Sequence, residues 1–334
     1  MLLKNLSSLE LNPNPLVLEN VPRPEPAANQ VLLRVSACGV CHTELDEIEG
    51  RTPPPSFPVI PGHEIVGRVV QRGEQARRFS IDQRVGVGWI FQSDGTREEN
   101  LSPAFRATGR DADGGYAEFM VVREDYAYPI PDCFSDAEAA PLLCAGSVGY
   151  RALKMCRIND GDVLGLTGFG GSGHLVLQLA RYLYPQSPVL VFARNQQERS
   201  FARELGASWT GDTLDTPMHA PDAIIDTTPA WQPVLAALRV LKPGGRLVIN
   251  AIRKEDRDRH LMSTISYPDH LWQEKQLCSV ANITRDDIRD CLAIAAESSL
   301  RIKVECFALD QANRALHALS GGGVRGAKVL MIEQ

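Results

Sequence analysis

No stretch of the chain offers the roughly 18 consecutive apolar residues that a bilayer-crossing helix needs. The first residues, Met1-Leu-Leu-Lys-Asn-Leu-Ser-Ser, lack the continuous apolar segment of a signal peptide. Basic charge is not in excess either: 35 Lys and Arg face 41 Asp and Glu, a formal net charge of -6. That balance argues against nucleic acid or an anionic membrane as partner, since both favour a basic face. Internal repeats and low-complexity tracts are missing, which removes solenoids and biased tails from consideration. The cysteines, Cys38, Cys41, Cys133, Cys144, Cys156, Cys278, Cys291 and Cys306, are dispersed apart from the first pair. They spell no disulfide framework, and most read as small buried apolar residues of a reducing compartment. The expectation is a soluble cytoplasmic protein.

What is present suits two domains. At 334 residues and 44% hydrophobic, the chain is long enough for two separate cores. Its first 140 or so residues read as short strands cut by proline and glycine, such as Val31-Leu-Leu-Arg-Val-Ser, Glu64-Ile-Val-Gly-Arg-Val-Val and Tyr116-Ala-Glu-Phe-Met-Val-Val. Thr52-Pro-Pro-Pro-Ser-Phe-Pro is a loop, because proline is excluded from helix interiors and central strands. Near Ser135 the pattern changes. Asp136-Ala-Glu-Ala-Ala opens a helical stretch, and from Asp162 onward strands alternate with helices: Val163–Thr167, Gly173–Tyr184, Val189–Ala193, Gln196–Leu205, Ala223–Thr227, Trp231–Leu241 and Arg246–Ala251. Such alternation predicts a doubly wound parallel sheet within an α/β protein. A helix over Asp286–Ala296 and a closing strand at Lys328–Ile332 follow, so the nucleotide-type domain is expected to interrupt a β-rich one.

Gly168-Phe-Gly170-Gly171-Ser-Gly173 follows a predicted strand and opens a predicted helix. In that context Gly168 makes the tight turn, Gly170 lets backbone approach a pyrophosphate, and Gly173 lets helix and strand pack closely. The helix amino terminus offers free amides to phosphates. The second strand ends Phe192-Ala193-Arg194, without the acid that usually meets an NAD ribose. Arg194 in its place favours a 2′-phosphate, giving a modest preference for NADP over NAD.

Three further residues, Cys41, His63 and Cys144, each sit in a short motif suited to holding zinc: Cys41-His42-Thr43-Glu44, Pro61-Gly62-His63-Glu64 and Pro141-Leu-Leu-Cys144-Ala-Gly. Thiolate, imidazole and thiolate make a catalytic zinc set with its fourth position open. Taken singly, a cysteine is usually core and a histidine usually a satisfied polar group. Their joint occurrence with the glycine loop is the signal. Cys38-Gly-Val-Cys41 has no second Cys-x-x-Cys to complete a zinc ribbon, so one member ligates while the other packs.

With these motifs, and with Asp113-Gly-Gly-Tyr-Ala-Glu, the chain closely resembles the zinc-dependent alcohol dehydrogenases of the medium-chain dehydrogenase/reductase family from Val31 onward. The resemblance implies a GroES-like catalytic domain over 1–146 and 284–334 and a Rossmann-type cofactor domain over 147–283, with the active site in the cleft between them. It implies Cys41, His63 and Cys144 as ligands of one catalytic zinc, Glu64 beside the metal and His42 against the cofactor pyrophosphate. Thr43 is the natural first proton acceptor, and Trp89 aligns with an aromatic of the substrate pocket, where it narrows the choice toward small aliphatic alcohols. Three departures stand out. The stretch from Trp89 to Arg110 holds none of the four cysteines that bind a structural zinc in many relatives, so one zinc per chain is expected. Glu44 replaces the usual Asp that holds the ligand histidine. Asp46 stands where many relatives end a proton relay with histidine, and is a candidate for that end. Family members assemble as dimers or tetramers. Two alternatives remain: a zinc-free enoyl or quinone reductase on the same fold, and a non-catalytic nucleotide-binding relative. Cofactor reduction with a panel of alcohols, before and after chelation, separates all three.

Overall fold

A computed structural model describes residues 1–321 and 326–332; residues 322–325 and 333–334, which fall within the expected range 284–334, lie outside the described residues. The chain divides into two units, Met1–Ser147 with Asn282–Gln334, and Val148–Ala281. Among the described residues, no helix is long and apolar enough to cross a membrane.

The first unit is built on a mixed seven-stranded sheet. Its order is Val304–Ala308, Ala327–Met331, Gln30–Val40, Ile65–Arg72, Arg84–Val87, Ala127–Pro129, with Phe119–Arg123 also paired to Gln30–Val40. Gln30–Val40 is the central strand: Val31, Leu32, Leu33, Val35, Ala37 and Cys38 are all fully buried. Burial on both faces explains why its sequence is a nearly continuous apolar run instead of an alternation. Ladder irregularities at Leu32/Leu33 and Val35/Ala37 bend it against Ile65–Arg72, as bulges do. Ala327–Met331 returns to pair antiparallel with Val40 through Ala37, so the unit is split in sequence. The strand expected from Tyr116 starts only at Phe119. Residues 114–116 instead bond to 60–62, with Gly114 N, Gly115 N and Tyr116 N donating to the carbonyls of Ile60, Gly62 and Pro61 at 2.7, 3.0 and 3.0 Å.

The second unit has six parallel strands: β1 (Leu164–Thr167), β2 (Val189–Phe192), β3 (Trp209–Gly211), β4 (Ala223–Asp226), β5 (Arg246–Ile249) and β6 (Gln276–Ser279). Their order is β3-β2-β1-β4-β5-β6, so the winding reverses between β1 and β4. A doubly wound sheet takes its ligand at the carboxyl ends of such a pair. Ile224 and Leu247 of the sheet pack against Val234, Ala237 and Leu238 of the helix Gln232–Val240. The helix after the glycine loop spans Gly171–Leu183 and so begins two residues before the expected Gly173. The turn is completed earlier, at Gly168 with φ +80°, which leaves Gly170 as the N-cap. β3 and β6 were not legible in the sequence; they are the two sheet edges, β3 only three residues long and β6 with Gln276, Leu277 and Ser279 exposed.

Candidate active site

Three breaks in regular structure deliver the ligand-type side chains of the first unit. Cys41 ends the central strand and caps the helix His42–Ile48 with extended backbone, φ -112° and ψ 163°. His63 follows Gly62, whose φ of +99° turns the chain before the strand Ile65–Arg72. Cys144 lies between the short 3-10 segment Ala140–Leu143 and the helix Ala145–Cys156. The ligand atoms of Cys41, His63, Glu64 and Cys144 all lie within 4.8 Å of one another. Among the described residues no other group of three or more His, Cys, Asp or Glu side chains is close enough to share an ion. Cys38 is fully buried and lies against Gly62 and Gly115, so of the Cys38/Cys41 pair it is the one that packs.

Two glycines make room for this cluster. A Cβ on Gly39 would fall 1.7 Å from Glu64 Oε2, so only glycine leaves the carboxylate its place. A Cβ on Gly62 would meet the Tyr116 ring at 2.4 Å and Cys38 Sγ at 2.8 Å. Glu44 then orients the imidazole. Its Oε1 lies 2.5 Å from His63 Nδ1, and its Oε2 accepts from the Cys41 amide at 2.7 Å. A carboxylate at Nδ1 favours the tautomer whose Nε2 lone pair is free. That Nε2 is buried and without a hydrogen-bond partner.

Burial and mutual contact set the protonation of the cluster. Cys41 is pushed well below the ordinary thiol range by a hydrogen bond from Cys144, with His63 adding to the effect against burial. Cys144 moves up, first through that same bond and then through burial. Burial alone would lower His63, but Glu44 and Cys41 outweigh it and the net direction is up. Burial raises Glu64, and the Cys41 thiolate raises it further. Two neighbouring thiols, an orphaned ring nitrogen and a buried carboxylate, all within 4.8 Å, are a donor set that fits zinc.

The remaining candidates in this unit fall into place around it. Thr43 is buried, with Oγ1 3.6 Å from Cys41 Sγ. His42 is exposed at the start of its helix. Asp46 is buried and its Oδ1 accepts from Arg51 Nε at 2.7 Å. Trp89 is 8% exposed; its ring lies 6.0 Å from that of His63 and 5.8 Å from that of Phe105, and its indole N–H is buried without a partner. Glu47 was missed by the sequence reading. It is buried one turn beyond Thr43, neither carboxylate oxygen has a hydrogen-bond partner, and burial holds its pKa well above the carboxylate range. Nothing in its sequence surroundings separates it from a surface acid.

The cysteine-free stretch after Trp89 is held by a carboxylate. Glu99 Oε1 accepts from the Arg285 amide at 2.7 Å, Oε2 from Arg285 Nε at 3.0 Å and from Ser93 Oγ at 2.6 Å. Glu99 thereby also occupies the amino terminus of the helix Arg285–Glu297.

In the second unit the glycine loop lies at the carboxyl end of β1. A Cβ on Gly168 would meet Thr227 Oγ1 at 2.8 Å, and one on Gly173 would meet the Gly168 carbonyl at 3.0 Å. The space around Gly170 is open, with nothing within 4 Å of a Cβ there, and Gly171 begins the helix. His174 is buried behind the loop, and burial pushes its pKa down to about 4. Arg194 is exposed beyond the end of β2. Arg199, which the sequence did not single out, donates from Nη1 to the carbonyls of Ala193 (2.6 Å) and Arg194 (3.0 Å), and so fixes that turn.

Comparison with known proteins gives the family of the chain. Residues 27–132 match the family described as "Alcohol dehydrogenase GroES-like domain". The chain is 40% identical to a protein of Mycobacterium tuberculosis (strain CDC 1551 / Oshkosh) named "Probable alcohol dehydrogenase AdhA", over 97% of this chain and 94% of that one. It is 31% identical to an alcohol dehydrogenase of Geobacillus stearothermophilus, over 96% of each. Among solved structures, a cinnamyl alcohol dehydrogenase of Sorghum bicolor superposes with a TM-score of 0.79 at 27% identity, covering 93% of this chain and 92% of that one.

Proposed function

Since the chain belongs to the alcohol dehydrogenases of the medium-chain dehydrogenase/reductase family and interconverts an alcohol with its aldehyde or ketone at the expense of a nicotinamide cofactor, we propose that it does so with one zinc per chain. Cys41, His63 and Cys144 would hold the ion, with Glu64 beside it. The observation that carries this reading is the meeting of four ligand atoms within 4.8 Å around an imidazole nitrogen that has no other partner. Bound there, the ion supplies a Lewis acid that acidifies an alcohol hydroxyl or polarises a carbonyl.

The chain's own groups do the rest. Thr43 Oγ1, next to the Cys41 sulfur, would accept the proton of the alcohol while releasing its own to water, with the reverse exchange in carbonyl reduction; a bound nicotinamide would supply the hydride chemistry. Glu44 keeps the His63 ring in one orientation and one tautomer. The Asp46 carboxylate is already paired with Arg51; it passes a proton outward only if that pair opens, so exit through water at Thr43 is the reading we adopt. Trp89 walls the substrate side of His63 and favours small aliphatic alcohols. The glycine loop, Gly168 to Gly173, receives the pyrophosphate together with His42. Arg194 receives a 2′-phosphate and sets a preference for NADP. The exposed edge β6, with half-exposed Leu277 and with Tyr267 and Trp272 nearby in sequence, suits pairing with a second copy. A homodimer, alone or as half of a tetramer, follows. Free thiols at all eight cysteines suit a reducing cytoplasm.

The experiment is cofactor reduction with ethanol, propanol and benzyl alcohol, with NAD and with NADP, alongside metal analysis. One zinc per chain and activity abolished by chelation and restored by zinc are expected. Full activity in metal-free protein would remove the proposal.

A further inference from the structure

A buried charge pair lies in the second unit, at the carboxyl ends of β1 and β4. Asp226 closes β4 and is fully buried. Lys254, in the segment after β5, forms an ion pair with its Oδ2 and donates to the carbonyls of Thr228 (2.7 Å) and Ala230 (3.0 Å). Those three acceptors use the three ammonium protons. Asp226 Oδ1 accepts from the Thr167 hydroxyl at the end of β1 (2.5 Å), and from the Thr228 hydroxyl (2.8 Å) and amide (3.3 Å). Thr228 in turn stands against the glycine loop, for a Cβ on Gly168 would meet its Cγ2 at 2.9 Å. Asn250, directly after β5, adds a second tie by donating from Nδ2 to Ser172 Oγ at 3.2 Å. The segments after β1, β4 and β5 are thus knotted together where the winding of the sheet reverses.

We infer that Lys254 is a positioning residue for dinucleotide binding. It cancels the charge of Asp226 beside the loop that receives the pyrophosphate, and it holds the three segments around that loop in one arrangement. This rests on the reading of Gly168 to Gly173 as the dinucleotide site. The physical argument is one of charge. Asp226 organises Thr167 and Thr228 through three hydrogen bonds, but alone it would set an uncompensated carboxylate next to an anionic ligand in a poorly solvated place. Lys254 removes that repulsion without giving up the bonds.

The test is the dissociation constant for NADPH and for NADH, read from cofactor fluorescence on the full, zinc-loaded chain. Wild type, Lys254→Met, Asp226→Asn and the double variant are compared, each with its melting temperature. Lys254→Met should weaken both cofactors at least about tenfold, because one partner of a buried pair is left charged. Asp226→Asn should bind at least as tightly as wild type, since the carboxylate that repels the phosphates is gone while the Lys254 charge remains nearby. The double variant should return to within about threefold of wild type. Wild-type affinity in Lys254→Met overturns the inference, as does a double variant as weak as Lys254→Met. Should Lys254→Met fail to fold, Asp226→Asn decides: a tenfold loss there overturns the inference. A wild-type chain that binds neither cofactor instead overturns the reading of the glycine loop.

Discussion

Glu44 meets two groups with one carboxylate, His63 Nδ1 in an ion-pair contact and the Cys41 amide in a hydrogen bond, and replacing it by Gln separates them. The carboxylate spans His63 Nδ1 at 2.5 Å and the Cys41 amide at 2.7 Å, and both groups it meets are donors. Glutamine keeps the length but offers one acceptor and one donor. If its oxygen faces His63, its NH2 faces the Cys41 N–H; if it turns over, the clash moves to the imidazole. One charge-assisted bond, worth about 1.5–3 kcal/mol, is lost in either case. The loss falls on the orientation and tautomer of His63, and outer partners of this kind govern metal affinity by about 10- to 100-fold. Glu44→Gln should therefore raise the zinc dissociation constant by that range, measured by competition with a chelator of known affinity. Glu44→Asp, shorter by one methylene, reaches His63 or Cys41 but not both, and should fall between wild type and Gln. Unchanged zinc affinity in Glu44→Gln, with unchanged melting, would refute the bridging argument.

Trp89→Ala should raise kcat/KM for benzyl-type alcohols relative to ethanol by about tenfold or more, as expected when a pocket wall is removed; an unchanged ratio assigns the indole to packing against Phe105. Arg194→Ala should lower the NADP-to-NAD ratio of kcat/KM by about tenfold, the worth of a charge-assisted bond to phosphate, and the idea fails if the ratio stays put or if wild type prefers NAD. Glu99→Ala strips three donors of their acceptor. It should cost about 1–3 kcal/mol, a melting decrease of roughly 2–4 °C per kcal/mol for a unit of this size, whereas unchanged melting would show that the stretch after Trp89 is held by something else.

How much of this was legible in the sequence depended on the range of the signal. The glycine loop declares itself over six positions, because a tight turn, a close helix contact and an open backbone face each ask for glycine at a fixed offset. The α/β alternation around it shows because the four inner strands of that sheet are apolar runs. β3 and β6 are the exceptions, and their place explains why: an edge strand has no second neighbour to impose a pattern. Cys41, His63 and Cys144 were flagged by short motifs, yet 22 and 81 positions separate them in the chain, and no local rule says that their atoms meet. The residues that escaped are those whose partner lies far away with no period to announce it. Glu99 and Arg285 stand 186 positions apart, and Asp226 and Lys254 stand 28 apart. Gly39 is the sharpest case. In sequence it is the spacer of a Cys-x-x-Cys; in the fold it is the only residue that leaves Glu64 its place, since a single methyl there would sit 1.7 Å from the carboxylate. The proposed metal site is therefore specified as much by what must be absent at position 39 as by the side chains that line it, and Gly39→Ala should displace Glu64 while leaving Cys41, His63 and Cys144 in the sequence untouched.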